Sequence, residues 1–118
     1  AMVTQAGSPY VTPRAFQCVE NTIQKAGFHT LPLHNHVFSF GEWGWVIGSK
    51  RFGTDEIKRN LLARNMDNIQ TKWLNNDAMH LITRFGKEVQ QFDTIRFNTV
   101  DKPILFRYYE EGVNSVFR

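Results

Sequence analysis

The apolar residues of this chain recur at two different spacings, and the spacing changes along the sequence. The first apolar residues lie three or four positions apart, between Thr12-Pro13 and Gly27, and they are Phe16, Val19, Ile23 and Ala26. Residues at that spacing share one face of an α-helix, proline is tolerated in its first turn, and glycine commonly ends it. The pattern predicts a helix over residues 13–26, capped by the hydroxyl of Thr12.

The next two apolar runs predict a pair of antiparallel strands. His29 to Phe40 reads as an extended segment, and Pro32 within it has no N–H to donate to a sheet, which places this strand at a sheet edge. Trp43 to Ser49 is almost continuously apolar, as is typical of a strand covered on both faces. Gly41-Glu42, between the two runs, is predicted to form the tight reversal. The local order is therefore edge strand, turn and inner strand.

Helical spacing returns twice in the second half of the chain. Thr54 is predicted to cap a second helix that ends near Asn65. Asn75 or Asn76 is predicted to cap a third helix, whose apolar positions continue at helical spacing to Phe85. Both helices are expected to pack on the sheet.

Three further segments are predicted to be extended because they are rich in branched and aromatic residues. They are residues 69–74, 94–98 and 104–109, with Pro103 interrupting before the last. Strands and helices are thus both predicted along the chain, and no repeat or linker divides it. The sequence predicts one mixed α/β domain over residues 1–118.

Composition and charge narrow the classes of protein. The chain has 118 residues, of which 42% are hydrophobic, and a formal net charge of +3 with no long run of like charge. Such a chain is expected to fold as one domain, and nucleic acid is not an expected partner.

Cys18 is the single cysteine, which excludes an intramolecular disulfide and favours a reducing compartment, so we expect a cytoplasmic protein. No apolar run approaches the roughly 20 residues that span a bilayer. Ala1 ahead of Met2 is typical of the remnant of a cleaved tag.

Two candidate chemical sites involve histidine and cysteine. His34 and His36, two positions apart on a strand, lie on one face and have the spacing at which two imidazoles share a metal. Further ligands would come from His29, His80, Cys18 or a carboxylate; the alternative is that both histidines are polar residues of an edge strand. Cys18 lies within the predicted first helix, where a thiol more often serves as a small buried apolar group than as a nucleophile.

The aromatic residues around the predicted turn have two interpretations. Phe38, Phe40, Trp43 and Trp45, with Lys50 and Arg51 nearby, resemble a surface that stacks nucleobases, but alternating residues of a covered strand also need to be apolar. Core packing is the expected role of Trp45. Trp43 and Glu42, at the mouth of the turn, are the better candidates for contact with a ligand. No glycine-rich nucleotide motif is present.

Several segments together resemble the C-terminal portion of the spermidine synthase family, the polyamine aminopropyltransferases. The resemblance is closest to bacterial forms fused to a membrane segment, in which Tyr-His-x-x-Val-Pro-Ser-Phe-Gly-x-Trp-Gly is similar to LHNHVFSFGEWG here. The similar segments are residues 3–9 (VTQAGSP) with the helix that follows them, 31–44, 47–50 (IGSK), 98–105 (NTVDKPIL) and 107–109 (RYY). They span most of the chain, and SFGEWG is the most specific of them.

The resemblance implies both a fold and an activity. The fold is the C-terminal part of a methyltransferase-like Rossmann fold, with a mixed sheet in which Met2 to Ala6 is the fifth strand and an antiparallel hairpin closes the sheet. The activity is transfer of an aminopropyl group from decarboxylated S-adenosylmethionine, as co-substrate, to putrescine. In the family, the glycine-rich cofactor loop and a catalytic aspartate precede the equivalent of Met2. We therefore expect the chain to hold neither cofactor nor catalytic residue of its own and to be inactive alone.

The same resemblance implies which residues face the acceptor amine. Gln5, followed by Ser8-Pro9, ends the fifth strand, and Trp43 lies beside the turn; both are expected to line one wall of the pocket. His34 takes the place of a frequent acceptor-site tyrosine, and Glu42 is the carboxylate of the motif. Phe38 stands where the family has proline, so this wall departs from the pattern.

The implied partners are a polyamine and a second polypeptide. A complementing N-terminal polypeptide would supply the cofactor half, and any membrane association would come through it. The alternative is a non-catalytic module that self-associates as a homo-oligomer, because without its neighbours the strand over residues 2–6 exposes a ladder edge.

Overall fold

A computed structural model of the chain describes residues 1–39, 41–86, 92 and 94–116. Three strands form one sheet, with β1 spanning Met2–Gly7, β2 His29–Val37 and β3 Gly41–Ser49. The helices are α1 (Pro13–Lys25), α2 (Thr54–Ala63), α3 (Asn76–Ile82) and α4 (Leu105–Val116), and a single 3₁₀ turn covers Met66–Asn68. The described residues thus form an α/β structure.

The sheet has the order β1-β3-β2, and both strand pairs are antiparallel. β3 lies in the middle, so β2 with Pro32 is an edge strand and β3 the inner one, as predicted. The family resemblance implies a mixed sheet, but the described strands make only antiparallel pairs. β1 and β2 lie on either side of β3, and each runs antiparallel to it. Phe40, the predicted end of the extended run, lies outside the described residues.

Helix α1 covers one face of the sheet. Phe16 and Ile23, together with Ala6 of β1 and Val46 of β3, form a buried cluster on this face. The helix spans the predicted residues, ending at Lys25 just before Gly27, whose φ is +94°. The predicted side-chain cap was wrong, because the Thr12 hydroxyl instead donates to the Ser8 carbonyl oxygen at 3.1 Å.

Helix α4 packs on the outer side of α1. Ala15 and Cys18 of α1 form a buried cluster with Tyr108 of α4. The two helices approach closely at Gly112, where a Cβ would stand 2.6 Å from Thr12 Cγ2. The extended segment predicted over residues 104–109 was wrong, because Leu105, Tyr108 and Tyr109 lie three or four positions apart and meet α1 as one face of a helix.

Helices α2 and α3 cover the opposite face of the sheet. Leu31 and Leu33 of β2 pack against Ile57 of α2, and Trp45 and Ile82 border this cluster. Trp45 is therefore part of the packed face, as expected. The fold is layered, with α2 and α3 on one face of the sheet, α1 on the other, and α4 outermost.

The bounds of several elements differ from the prediction. Gly41 and Glu42 belong to β3, and the reversal lies between Val37 and Gly41, which pair across the hairpin. Thr54 is the first residue of α2 rather than its cap. Helix α2 ends at Ala63, two residues before the predicted end.

Helix α3 begins as predicted and ends early. The Asn75 side chain accepts a hydrogen bond from the Ala78 N–H at 2.8 Å, so Asn75 is the cap. The helix ends at Ile82 rather than at Phe85. Phe85 instead packs against Phe16 on the other face of the sheet, which it could not reach from α3.

Two predicted strands are absent from the described residues. Residues 69–74 form bends and irregular backbone, with Ile69 and Trp73 more than half exposed, and so lack the buried neighbours that a strand of this composition needs. Residues 94–98 run irregularly along α1 and bond to its side chains instead of to a neighbouring strand. Among the described helices, none is long and apolar enough to cross a membrane.

Candidate functional site

The carboxyl end of β1 forms a bulge followed by a tight turn. Gln5 pairs with Trp45 and Gly7 with Gly44, so the strand carries one extra residue between them. Gly7 has φ of +75°, and a Cβ there would stand 2.6 Å from a ring carbon of Tyr109. Both constraints favour glycine. The bulge redirects the chain into the turn that precedes α1.

The Ser8-Pro9 turn is bonded internally. The Ser8 hydroxyl oxygen accepts hydrogen bonds from the N–H groups of Tyr10 and Val11, at 3.2 and 3.1 Å. Ser8 and Pro9 are both buried. These two residues therefore shape the end of β1, and their side chains are occupied in doing so.

Gln5 and Trp43 form a cross-strand pair. The indole N–H of Trp43 donates to Gln5 Oε1 at 3.3 Å, on an exposed part of the surface. Gln5 pairs in register with Trp45, so Trp43 lies diagonally across from it on the same face of the sheet. The two residues thus present an amide and an indole side by side.

His34 and Glu42 form a second pair, at the start of the hairpin. Nδ1 of His34 lies 3.0 Å from Oε2 of Glu42, and the two side chains are 13% and 36% exposed. His34 pairs with Gly44, and Glu42 is two positions from Gly44, so both lie on the face that α1 covers. The carboxylate is thus half-exposed beside a largely buried imidazole.

The imidazole of His34 is held from three sides. Its Nε2 is hydrogen-bonded to the carbonyl oxygen of Arg84. Its ring lies 4.5 Å from the Phe85 ring and 6.0 Å from the Tyr10 ring, measured between centroids. Glu42 and the Arg84 carbonyl thus engage both ring nitrogens, and the aromatic neighbours fix the plane of the ring.

The four candidate residues therefore lie as two pairs on opposite faces of the sheet. Glu42 and Trp43 are neighbours in β3, and neighbouring residues of a strand point to opposite faces. The structure brings Gln5 to Trp43 and His34 to Glu42, and it separates the two pairs by the thickness of one strand. The four residues expected to line one wall therefore share the end of the sheet rather than one of its faces.

Sequence reasoning missed Tyr10, Arg84 and Phe85. Tyr10 follows the β1 turn, and Arg84 and Phe85 reach His34 by passing from α3 around the β2 edge. The apolar spacing predicts Phe85 on a helix face, and the contact of Arg84 with His34 uses its backbone carbonyl, which no side-chain pattern reveals. The His34–Glu42 pair follows from the hairpin register, because His34 pairs with Gly44 and Glu42 lies two positions from Gly44 on the same face.

The other candidate chemistry has a structural setting as well. Within the described ranges, no group of three or more His, Cys, Asp or Glu residues is placed to hold a metal ion. The Cys18 thiol is buried and donates to the Arg96 carbonyl oxygen at 3.2 Å. Burial raises the pKa of this thiol, while hydrogen bonds from Thr22 and Asn98 lower it. A raised pKa leaves less thiolate, which is the reactive form.

No protein-family model matches the chain. Curated proteins, however, are similar to it. Polyamine aminopropyltransferase 2 of Ralstonia nicotianae is 32% identical over 117 residues, which are 99% of this chain and 22% of that protein. This chain is similar to polyamine aminopropyltransferases over nearly all of its length.

Two other polyamine aminopropyltransferases show the same relationship. Polyamine aminopropyltransferase 2 of Aquifex aeolicus is 34% identical over 110 residues, 91% of this chain and 20% of that protein. That of Mycobacterium tuberculosis is 52% identical over 46 residues, 39% of this chain and 9% of that protein. The chain spans about a fifth of the length of the first two relatives. The polyamine aminopropyltransferase relatives support the spermidine synthase family expected from the sequence.

Proposed function

We propose that this chain is the C-terminal portion of a polyamine aminopropyltransferase of the spermidine synthase type. The observation that carries the proposal is coverage: a relative with that name matches 99% of the chain, while the chain matches 22% of that relative's length. The proposed reaction of the complete enzyme is aminopropyl transfer from decarboxylated S-adenosylmethionine to putrescine. The proposed location is the cytoplasm.

In this proposal, the described sheet is the closing part of a Rossmann-like sheet. β1 followed by α1 is a strand and its crossover helix, and the β2–β3 hairpin adds two antiparallel strands beside it. The carboxyl ends of the strands of such sheets are where ligands bind. Gln5 and the bulge lie at that end of β1, which supports a ligand-facing role.

The two residue pairs supply what an amine acceptor needs. Putrescine is a dication, and the half-exposed Glu42 carboxylate attracts an ammonium group while His34 fixes its orientation. Aromatic rings also attract cations, and Tyr10 and Trp43 lie on either side of this edge. The Gln5 amide oxygen adds an acceptor for an N–H.

The chain on its own is proposed to bind without catalysing. The cofactor loop and the aspartate that helps deprotonate the attacking amine belong, by the family resemblance, to the part that precedes Met2. The four candidate residues do not supply both a cofactor-binding loop and a base for the attacking amine. Catalysis would therefore require that other part, either on the same polypeptide or on a complementing one.

A complementation assay tests this proposal. The purified chain is mixed with the part of the Ralstonia nicotianae relative that lies outside the matched region, and aminopropyl transfer to putrescine is measured. We expect transfer from the mixture and none from either component alone. Transfer by the chain alone would show that it holds the catalytic chemistry itself; a mixture that neither associates nor reacts would refute the assignment.

A matched pair of variants assigns the acceptor wall. In the reacting mixture, Glu42→Gln is expected to raise the KM for putrescine by about ten- to a hundredfold, since a hydrogen bond to a charged group contributes about 1.5–3 kcal/mol. Glu110→Gln, on the exposed surface of α4, is the control and should leave the KM unchanged. Equal KM values for the two variants would exclude Glu42 from the acceptor site.

A second proposal is a non-catalytic module that self-associates. The observation that favours it is the outer edge of β1, which is the terminal strand of the described sheet, and its residue Val3, which is 63% exposed. An open strand edge with an exposed apolar side chain favours pairing with another strand. The same edge would receive a strand of a complementing polypeptide.

A further inference from the structure

A groove lies between the start of α4 and the loop that precedes it, away from the two residue pairs. Its volume is about 500 Å³, which falls in the range of small-molecule sites. Pro103, Ile104 and Phe106 supply apolar lining. Phe106 is 67% exposed, so a large apolar side chain borders the groove without being covered.

Three cations line the same groove. They are Arg96, Lys102 and Arg107, and Asp101 is the single carboxylate among the lining residues. Two ion pairs occur among the described residues, Arg14 with Glu111 and His34 with Glu42. None of the three groove cations takes part in either pair. Over the part of the chain that the structure describes, the groove therefore combines an apolar lining with positive charge that no ion pair neutralises.

The walls of the groove are fixed by hydrogen bonds. The Arg96 N–H donates to the Tyr108 hydroxyl oxygen at 3.2 Å, which joins the loop to α4. The Leu105 N–H donates to Asn98 Oδ1 at 3.1 Å, and the Lys102 N–H to Thr99 Oγ1 at 2.9 Å. A groove whose backbone is held in this way is largely preformed, so that binding costs little ordering of the backbone.

We propose that this groove binds a small amphipathic anion, a carboxylate or phosphate attached to an apolar body. The apolar part contacts Pro103, Ile104 and Phe106, and the anionic group lies among the three cations. The inference does not depend on the proposed transferase function, because polyamines are cations and this groove repels them. Charge thus separates it from the acceptor wall around Glu42.

Isothermal titration of the whole chain with sodium octanoate tests the proposal. We expect saturable binding that weakens as salt is raised, because exposed charges are screened. Acetate lacks the apolar body and octylammonium has the opposite charge, and we expect neither to bind measurably. Amide chemical-shift changes caused by octanoate should be confined to residues 94–107. Equal binding of octanoate and octylammonium, or shifts elsewhere, would overturn the proposal.

Matched variants and a vesicle arm complete the test. Arg107→Gln is expected to weaken octanoate binding by about two- to fivefold, the range for one exposed ion pair. Arg59→Gln, exposed on α2, should leave it unchanged. Sedimentation with phosphatidylglycerol vesicles, against phosphatidylcholine vesicles, distinguishes a lipid surface from a small ligand: vesicle binding without saturable octanoate binding contradicts the groove as a small-anion site.

Discussion

Gly44 of β3 lies directly beneath the aromatic ring of Phe16 in α1. A Cβ placed on Gly44 would overlap the edge of that ring and stand 2.8 Å from the Gly7 carbonyl oxygen. The glycine thus allows α1 to rest on the sheet at the end of β1, where the candidate site begins. Gly44 is the last residue of the SFGEWG segment, and the packing of Phe16 against it requires a glycine at this position.

Replacing Gly44 by alanine is expected to destabilise the fold by about 1–3 kcal/mol, the cost of an added methyl group in a packed interior. Phe16 is buried and the Gly7 carbonyl is backbone, so neither can move away freely. Urea unfolding of the variant measures the loss. Gly86→Ala is the control, since a Cβ there meets nothing within 4 Å, and an unchanged Gly44→Ala midpoint would contradict the close packing.

Glu20 gives a pH-dependent prediction. Burial raises the pKa of this carboxyl group above its ordinary value of 4.5, and a hydrogen bond from the Thr30 hydroxyl lowers it only in part. The folded state therefore holds the proton more tightly than the unfolded state, so stability is present below pH 4.5 and is lost as pH rises through the folded-state pKa.

Glu20→Gln removes that loss, because a neutral amide oxygen still accepts from Thr30. We expect the variant to be more stable than the parent chain at pH 7, with the difference shrinking as pH falls below 4.5. Thermal unfolding at several pH values measures this. Glu110→Gln, at an exposed position, should show no such trend, and a constant difference across pH would argue against burial as the cause.

His34 and Glu42 are expected to be energetically coupled. A double-mutant cycle with His34→Gln and Glu42→Gln should give a coupling free energy of about 0.5–1 kcal/mol, because the pair is partly buried and in direct hydrogen-bond contact. Unfolding by urea at pH 6 supplies the four free energies. The cycle of Gln5→Ala with Glu42→Gln is the comparison, since these residues lie on opposite faces, and a coupling as large there would point to a general rather than a pairwise effect.

Val3→Lys tests the open edge of β1. If that edge mediates self-association, a charge on it should shift the chain to monomer without unfolding it. Sedimentation velocity of both chains at tens of micromolar is the measurement. Val113→Lys, on the exposed side of α4, should keep the parent's oligomeric state; a parent chain that is monomeric throughout would exclude the self-associating module.

The helix α1 and the hairpin were predictable because their signals are local. A proline start and a glycine stop bound the helix, and Pro32 identifies the edge strand without any knowledge of its neighbours. Helix α4 was misassigned because its first residues have strand-like composition, and what decides their conformation is the surface of α1, more than 80 residues earlier in the sequence.

The candidate site could be predicted as a set of residues but not as an arrangement. Alternation already places Glu42 and Trp43 on opposite faces. Which residue of β1 or β2 meets each of them depends on the bulge after Gln5 and on the reversal between Val37 and Gly41. A shift of one residue in either register would exchange the partners.

The irregular segment beside α1 has no ladder of its own, yet three of its amide N–H groups donate hydrogen bonds to side chains of the neighbouring helices. The N–H groups of Phe92 and Asn98 donate to the side chains of Gln17 and Thr22 of α1, and that of Arg96 to Tyr108 of α4. In hydrogen-exchange terms, these amides are protected only while both helices are docked. These amides should therefore exchange with solvent as one group, at the rate at which α4 separates from α1. Their exchange rate would thus measure the stability of the contact between α1 and α4.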